Sequence, residues 1–190
     1  MNSNTFLVVG LGNPGPDYSH NRHNVGQMVL DVLASRLGER FKSHKTSAHL
    51  AEGKLGSTKL ILAKSNGYMN TSGAPTSALM KFYDLKPEQL IVIHDELDID
   101  FEQLKIKFSG GHAGHNGLRS IISAIGNDFI RIRFGIGRPP GNQDPADFVL
   151  QNFSSAEKAE LPVLLELAAD MVETIANQGL DFAQAQYHSK

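Results

Sequence analysis

A short, continuously apolar run, Phe6-Leu7-Val8-Val9, is followed at once by a loop too rich in glycine and proline to be helical, Gly10-Leu11-Gly12-Asn13-Pro14-Gly15-Pro16. An amphipathic stretch comes next: Val25, Met28, Val29, Val32, Leu33 and Leu37 recur at helical spacing and end near Gly38. Strand, loop and helix in that order constrain the fold more than any other feature. They make the N-terminal segment a buried strand of a layered α/β sheet, with a polar loop at its carboxyl end. Open sheets of this kind bind their ligands there.

The alternation continues along the chain. Residues 46–64 read as a hairpin, in which Ala48, Leu50 and Glu52 precede Gly53 and Gly56, and Leu60-Ile61-Leu62-Ala63 follows. Thr71 or Ser72 is placed to cap a helix reaching about Tyr83, with Leu79, Met80 and Phe82 inward. Leu90-Ile91-Val92-Ile93 is apolar throughout and reads as a central strand. Leu104 to Phe108 alternates apolar residues with lysine, as a half-exposed strand does. A Gly110-Gly111-His112-Ala113-Gly114 loop then leads into a helix containing Leu118, Ile121, Ile122 and Ile125. Phe129 to Gly137 alternates again, with Ile130, Ile132 and Phe134 on one face and Arg131 and Arg133 on the other. A short helix over 144–152 and a long amphipathic helix over 156–178 complete the pattern. The expected architecture is a single α/β domain over residues 1–190, with a twisted mixed sheet flanked by helices on both faces.

Composition narrows the function classes. The chain has 190 residues, 41% of them hydrophobic, which is ordinary for a globular domain with a substantial core. It has no cysteine, which excludes disulfides, thiolate metal sites and a cysteine nucleophile. The N-terminal residues lack the basic segment and apolar run of a signal peptide. No stretch approaches the roughly 20 apolar residues of a membrane span. A soluble cytoplasmic protein without a membrane partner is expected. The net charge is −2, but its distribution is uneven. Six Lys or Arg face one acid between Lys105 and Arg138, whereas six acids face two lysines from Glu157 onward. A basic face opposite an acidic one suits an anionic ligand.

Four clusters carry chemistry: Asn13 with Asn21-Arg22-His23-Asn24, Met69-Asn70, His94-Asp95-Glu96 and His115-Asn116. Gly10-x-Gly12-x-x-Gly15 has the letters of a dinucleotide fingerprint. However, Pro14 and Pro16 keep that loop extended and the helix starts only near Asn24, so no helix N-terminus meets a pyrophosphate. His20-x-x-His23 and His112-x-x-His115 have ligand-like spacing, and His94-Asp95-Glu96 could add carboxylates, which makes a metal-dependent hydrolase the alternative mechanism. Each polar residue also has a plain structural reading: Asn70 and Asn116 as helix caps, Met69 as core, Asp95 as a carboxylate bonded to amides. What favours a site is coincidence, because Asn13, His23 and Asp95 all follow strands on one edge of the sheet. His23 with Asp95 is the natural general-base pair. The carboxylate fixes the tautomer, and the other ring nitrogen takes a proton from water, which replaces the serine of a triad. Asparagine amides supply neutral donors for an oxyanion and for peptide groups.

Together these clusters resemble the bacterial-type (class I) peptidyl-tRNA hydrolase family over essentially the whole chain. The resemblance is carried by Val9-Gly10-Leu11-Gly12-Asn13-Pro14-Gly15 with Tyr18, by Arg22-His23-Asn24-Val25-Gly26, and by Tyr68-Met69-Asn70-Thr71-Ser72-Gly73. His94-Asp95-Glu96-Leu97-Asp98, the segment from Gly110 to Leu118, and Arg131-Ile132-Arg133-Phe134-Gly135-Ile136-Gly137-Arg138 complete it. It implies a monomeric cytoplasmic esterase that uses neither metal nor cofactor. Such an enzyme releases tRNA and peptide by cleaving the ester between an N-blocked peptide and the 3′-terminal ribose. The resemblance makes His23 the base, Asp95 its orienting partner and Asn13 a further catalytic group. It places Met69, Asn70, Asn116 and His115 at the substrate, Tyr18 beside the site, and Lys107 with Arg133 on the tRNA 5′-phosphate. Phosphate contacts of that kind position a nucleic acid without reading its sequence. A tRNA-binding module without chemistry is the other alternative. Two features depart from the family pattern: Ser109 and Ala113 stand where glycine is common, and Arg138 adds positive charge near the site.

Overall fold

The computed structural model describes residues 4–188. Among these, seven strands form one sheet: β1 (Thr5–Gly10), β2 (Lys42–His44), β3 (Ala48–Leu55), β4 (Thr58–Ser65), β5 (Leu90–Glu96), β6 (Leu104–Phe108) and β7 (Ile130–Gly135). The helices are α1 (Val25–Leu37), α2 (Gly73–Phe82), α3 (Asn116–Ile125), α4 (Pro145–Val149), α5 (Ser155–Gln178) and α6 (Leu180–His188). The sheet order is β2-β3-β4-β1-β5-β7-β6. Strands β4, β1, β5 and β7 run parallel, and β2, β3 and β6 add antiparallel edges. The mixed sheet with helices on both faces is the architecture expected. The hairpin read over 46–64 is β3 and β4.

Two apolar layers cover the central strands. Val8, Ile91, Ile93, Ile132 and Phe134 face α1 and α5 on one side. Leu7, Val9, Val92 and Leu90 pack with α2 and α3 on the other. Each fully buried aliphatic side chain there contributes about 1.5–3 kcal/mol. The chain leaves β1 through α1 on one face and returns to β5 through α2 on the other. The crevice between the carboxyl ends of β1 and β5 is therefore a topological switch point. Gly26 seats α1 against this crevice. A Cβ at Gly26 would lie 2.2 Å from the Ile93 carbonyl oxygen, so only glycine lets the helix start so close to β5.

Several local expectations change. Phe82 is 49% exposed rather than inward, because it lies in the last turn of α2, past the apolar stripe of Leu79 and Met80. Ser72 holds the N-cap position of α2 but donates its hydroxyl to the Met69 carbonyl, and Ser120 Oγ accepts from the Gly73 amide instead. Arg131 does sit on the face opposite Ile130 and Ile132, yet it is buried. The loop after β6 folds over it, and its guanidinium donates to the carbonyls of Gly110 and Gly111. Two elements are additional to the expected pattern, the three-residue strand β2 and helix α6. Helix α6 covers the edge strand β6: His188 Nε2 accepts from the Ile106 amide and Gln184 donates to the Ile106 carbonyl. Side chains thus occupy backbone groups that an open edge would expose.

Candidate active site

Asp95, near the end of β5 and 3% exposed, is the centre of the site. One carboxylate oxygen accepts from His23 Nδ1 at 2.8 Å and the other from His115 Nε2 at 2.8 Å. His23 lies in a single 3-10 turn, Arg22–Asn24, that opens directly into α1. His115 is the N-cap of α3, where its Nδ1 accepts from the amides of Gly117 and Leu118 at 3.1 and 3.3 Å. A nitrogen that accepts two N–H bonds carries no proton, so the His115 proton is on Nε2. The His23 and His115 rings are 4.9 Å apart.

The charges follow from this geometry. Burial pushes the Asp95 carboxyl up, but the His23 charge and the N–H bonds from His23 and His115 hold it well below the usual carboxylate range. Burial pulls the His23 imidazole down, and the Asp95 charge and hydrogen bond outweigh it, so its pKa rises above 6.5. His94, fully enclosed on the opposite face of β5, is pushed down to about 3, chiefly by burial. It is neutral and donates Nδ1–H to the Asp95 carbonyl at 2.8 Å.

The asparagines divide into two kinds. Asn13 is buried and preorganised. Its backbone is clasped by the Asn24 carboxamide through two 2.9 Å bonds, and its own Oδ1 accepts from the Met69 amide at 2.7 Å. With Oδ1 engaged, the NH2 group is what Asn13, a residue lining the cleft, has left to offer. Asn70 and Asn116 are exposed, and their side chains make no hydrogen bond among the described residues. Neither caps a helix, since Asn70 lies inside a 3-10 turn and Asn116 follows the cap, His115. A Cβ at Gly117 would meet Met69 Sδ at 2.6 Å, so this glycine lets α3 close against the loop that carries Met69 and Asn70.

These groups line a cleft of about 420 Å³. Asn13, His23, Met69, Asn70, Asp95, His115 and Asn116 all border it. So do Tyr68, Leu97, Val149 and Leu150, which form an apolar wall. Tyr68 and Leu97 stand in segments that carry the family resemblance, whereas Val149 and Leu150 were not singled out and had no signal beyond the short helix expected over 144–152. Tyr18 does not border the cleft and instead meets the Tyr68 ring edge-on at 6.2 Å. Lys107 and Arg133 lie outside it too. They line a second cavity of about 330 Å³ with His94, His112 and Arg131. The two cavities share the wall formed by Glu96, Ala113 and His115. Arg133 is not a free cation, because it donates to Glu96 at 3.0 and 3.1 Å.

Of the two ligand-like histidine pairs, only one member each reaches Asp95. His20 is exposed, and His112 Nδ1 accepts from the Gly114 amide. The ligating atoms of His23, Asp95 and His115 lie within 4.8 Å of one another, close enough for a metal. The donor set does not fit one: His115 Nε2 holds its proton, and a metal needs a lone pair there.

A buried carboxylate gripping a histidine, with amide donors across a cleft on an α/β sheet, is the donor and acceptor set that hydrolysis by an activated water requires. The sequence matches the profile of the peptidyl-tRNA hydrolase family over residues 7–190, and the chain belongs to that family. The peptidyl-tRNA hydrolase of Arthrobacter sp. (strain FB24) is 56% identical over 190 residues, covering 98% of each chain. That of Leifsonia xyli subsp. xyli is 57% identical over 187 residues, covering 97% of each. The crystal structure of peptidyl-tRNA hydrolase from Acinetobacter baumannii superposes with a TM-score of 0.92 at 34% identity, over 100% of this chain and 97% of that one. No helix among the described residues is long and apolar enough to cross a membrane.

Proposed function

We propose that this cleft cleaves the ester between an N-blocked peptide and the 3′-terminal ribose of tRNA by direct attack of water, with His23 as the general base. As the water oxygen bonds to the ester carbonyl carbon, its proton passes to His23 Nε2. The imidazolium that forms is stabilised by Asp95 across the 2.8 Å bond. The carbonyl becomes an oxyanion, which receives a hydrogen bond from the NH2 of Asn13, a reading supported by the bond that holds its Oδ1. Collapse expels the ribose 3′-oxygen, which takes the proton back from His23. No bond to the enzyme forms. Asn70 and Asn116, with unspent amides, hold the peptide and ribose, and the apolar wall at Tyr68, Met69 and Leu150 takes the peptide side chains. An acylated N–H finds its acceptor in an asparagine carbonyl, whereas a free ammonium must shed its hydration to enter the cleft, which spares aminoacyl-tRNA. Lys107 and Arg133 hold the tRNA 5′-phosphate in the adjoining cavity, without regard to sequence. The enzyme acts as a cytoplasmic monomer.

The observation that carries this reading is the His23–Asp95 bond with the locked Asn13 carboxamide on the same cleft. The test is incubation with N-acetyl-aminoacyl-tRNA and with unblocked aminoacyl-tRNA, both in EDTA. Rapid release from the blocked substrate alone is expected. Binding without release would reduce the protein to a tRNA-binding module. Activity that returns only with added Zn²⁺ or Mn²⁺ would restore the metal mechanism.

A further inference from the structure

We infer that His115 is a positioning residue rather than a substrate contact: a histidine whose tautomer is locked by the N-terminus of α3 so that it permanently supplies the second N–H to Asp95. The inference rests on the reading of His23 as the base, and it assigns His115 a task in setting that base.

Three observations converge on it. First, both ring nitrogens are spent inside the protein, Nδ1 on the Gly117 and Leu118 amides and Nε2 on Asp95, so neither remains for a ligand. Secondly, moving the proton to Nδ1, or adding a second one there, would break the cap of α3 and set a positive charge against the positive end of the helix. The lock is therefore enforced by backbone groups, which cannot titrate. Thirdly, Asp95 is enclosed, and His23 and His115 take one oxygen each. The carboxylate is held from both sides, and its charge is shared between two donors.

The chemical consequence falls on His23. A carboxylate with one donor would concentrate its charge on His23 and raise its basicity until the imidazolium persisted at working pH. A second fixed donor restrains that rise and keeps a neutral Nε2 available for water. The other ionisable groups lining the two cavities around the pair are His94 and Glu96 from β5, Arg131 and Arg133 from β7, Lys107 from β6, His112 from the loop before α3, and Asp98 with Arg138, which bond each other at 2.8 Å. Arg133 is tied to Glu96 and Arg131 to loop carbonyls, so no other cation contacts Asp95 among the described residues.

The decisive variant is His115→Asn. Asparagine is among the best N-caps, so α3 stays capped, but the side chain is too short to reach Asp95. Expected is an upward move of the acid limb of kcat/KM by about one pH unit, matched by the His23 titration in NMR, with KM at high pH unchanged. His115→Gln, long enough to donate, moves both back toward wild type. In the wild-type protein, ¹⁵N shifts should show the His115 proton on Nε2 and a bare Nδ1. A raised KM with an unmoved pH profile would make His115 a substrate contact and overturn the inference, as would a His115 ring protonated at Nδ1. A His23 titration that moves while the rate profile does not would uphold the inference and refute His23 as the base.

Discussion

Asp95→Asn is the substitution whose outcome the geometry dictates most closely. It keeps the shape of the side chain and removes its charge. Asp95 accepts from both histidines, but a carboxamide offers one acceptor and one NH2 group. His115 cannot adapt, because its Nδ1 is committed to the amides of α3 and its proton stays on Nε2. The new carbonyl oxygen must therefore turn to His115, and the new NH2 must face His23 Nδ1. His23 is then forced to shed the proton from Nδ1 and carry it on Nε2, where it blocks acceptance of a proton from water. The charge that would stabilise the imidazolium is gone as well. A hydrogen bond to a charged group is worth about 1.5–3 kcal/mol. The lost bond and the wrong tautomer together raise the barrier by about 3–5 kcal/mol, a fall in kcat of about 10²- to 10⁴-fold. The residual acid limb should move to lower pH, since burial alone then acts on His23. Single-turnover release from N-acetyl-aminoacyl-tRNA across pH measures both effects. A plateau within threefold of wild type, or a limb that moves upward, would refute the argument.

Other expectations follow from individual contacts. Ala113 holds a left-handed φ of 48° on the wall between the two cavities, so Ala113→Gly should stabilise the protein by about 1 kcal/mol and raise Tm by a few degrees. A fall in Tm would show that the alanine methyl packs usefully. Arg22 is buried, pairs with Glu157 at 2.8 Å, donates to the Phe148 carbonyl and stacks 3.9 Å over the Phe148 ring. Arg22→Met should cost about 3 kcal/mol in urea unfolding, since Glu157 and the carbonyl lose their partner. Three groups of the site set the pH dependence of stability: His94, held down near 3, contributes stability above 6.5 that is lost as pH falls toward 3, and the other two act with opposite signs. Asp95, held low, contributes stability above its unfolded pKa near 3.8 that is lost as pH falls through the folded value. His23, held high, contributes below 6.5 and loses that contribution as pH rises through its raised folded value. Differential scanning calorimetry of wild type against Asp95→Asn should show the Asp95 share of the low-pH loss disappear while that of His94 stays.

Much of the fold was legible because its signals are local. The apolar runs at Phe6–Val9 and Leu90–Ile93, the stripe from Val25 to Leu37 and the alternation in β6 and β7 are periodicities that the backbone must obey. Asn13, His23, Met69, Asn70, Asp95 and Asn116 were legible as site candidates because polar residues cluster where strands end. Strand β2 and helix α6 were not. The first is too short to show a period, and the second exists to cover the edge of β6 through Gln184 and His188, a contact 78 and 82 residues away in sequence.

The residues alone determined which chemistry was possible: a base, a carboxylate and neutral amides, with no thiol. Tertiary structure decided how each is used. Nothing in the local sequence distinguishes His94, His112 and His115, yet one is buried and neutral, one bonds a loop amide, and one bridges a helix cap to Asp95. Nor does it separate Asn13, clasped on both sides, from the exposed Asn70 and Asn116. Such roles depend on which hydrogen-bonding groups other segments bring within 3 Å and on whether water is excluded. Both are properties of the packed chain, because a side chain's protonation and orientation are fixed by its partners and not by its neighbours in sequence.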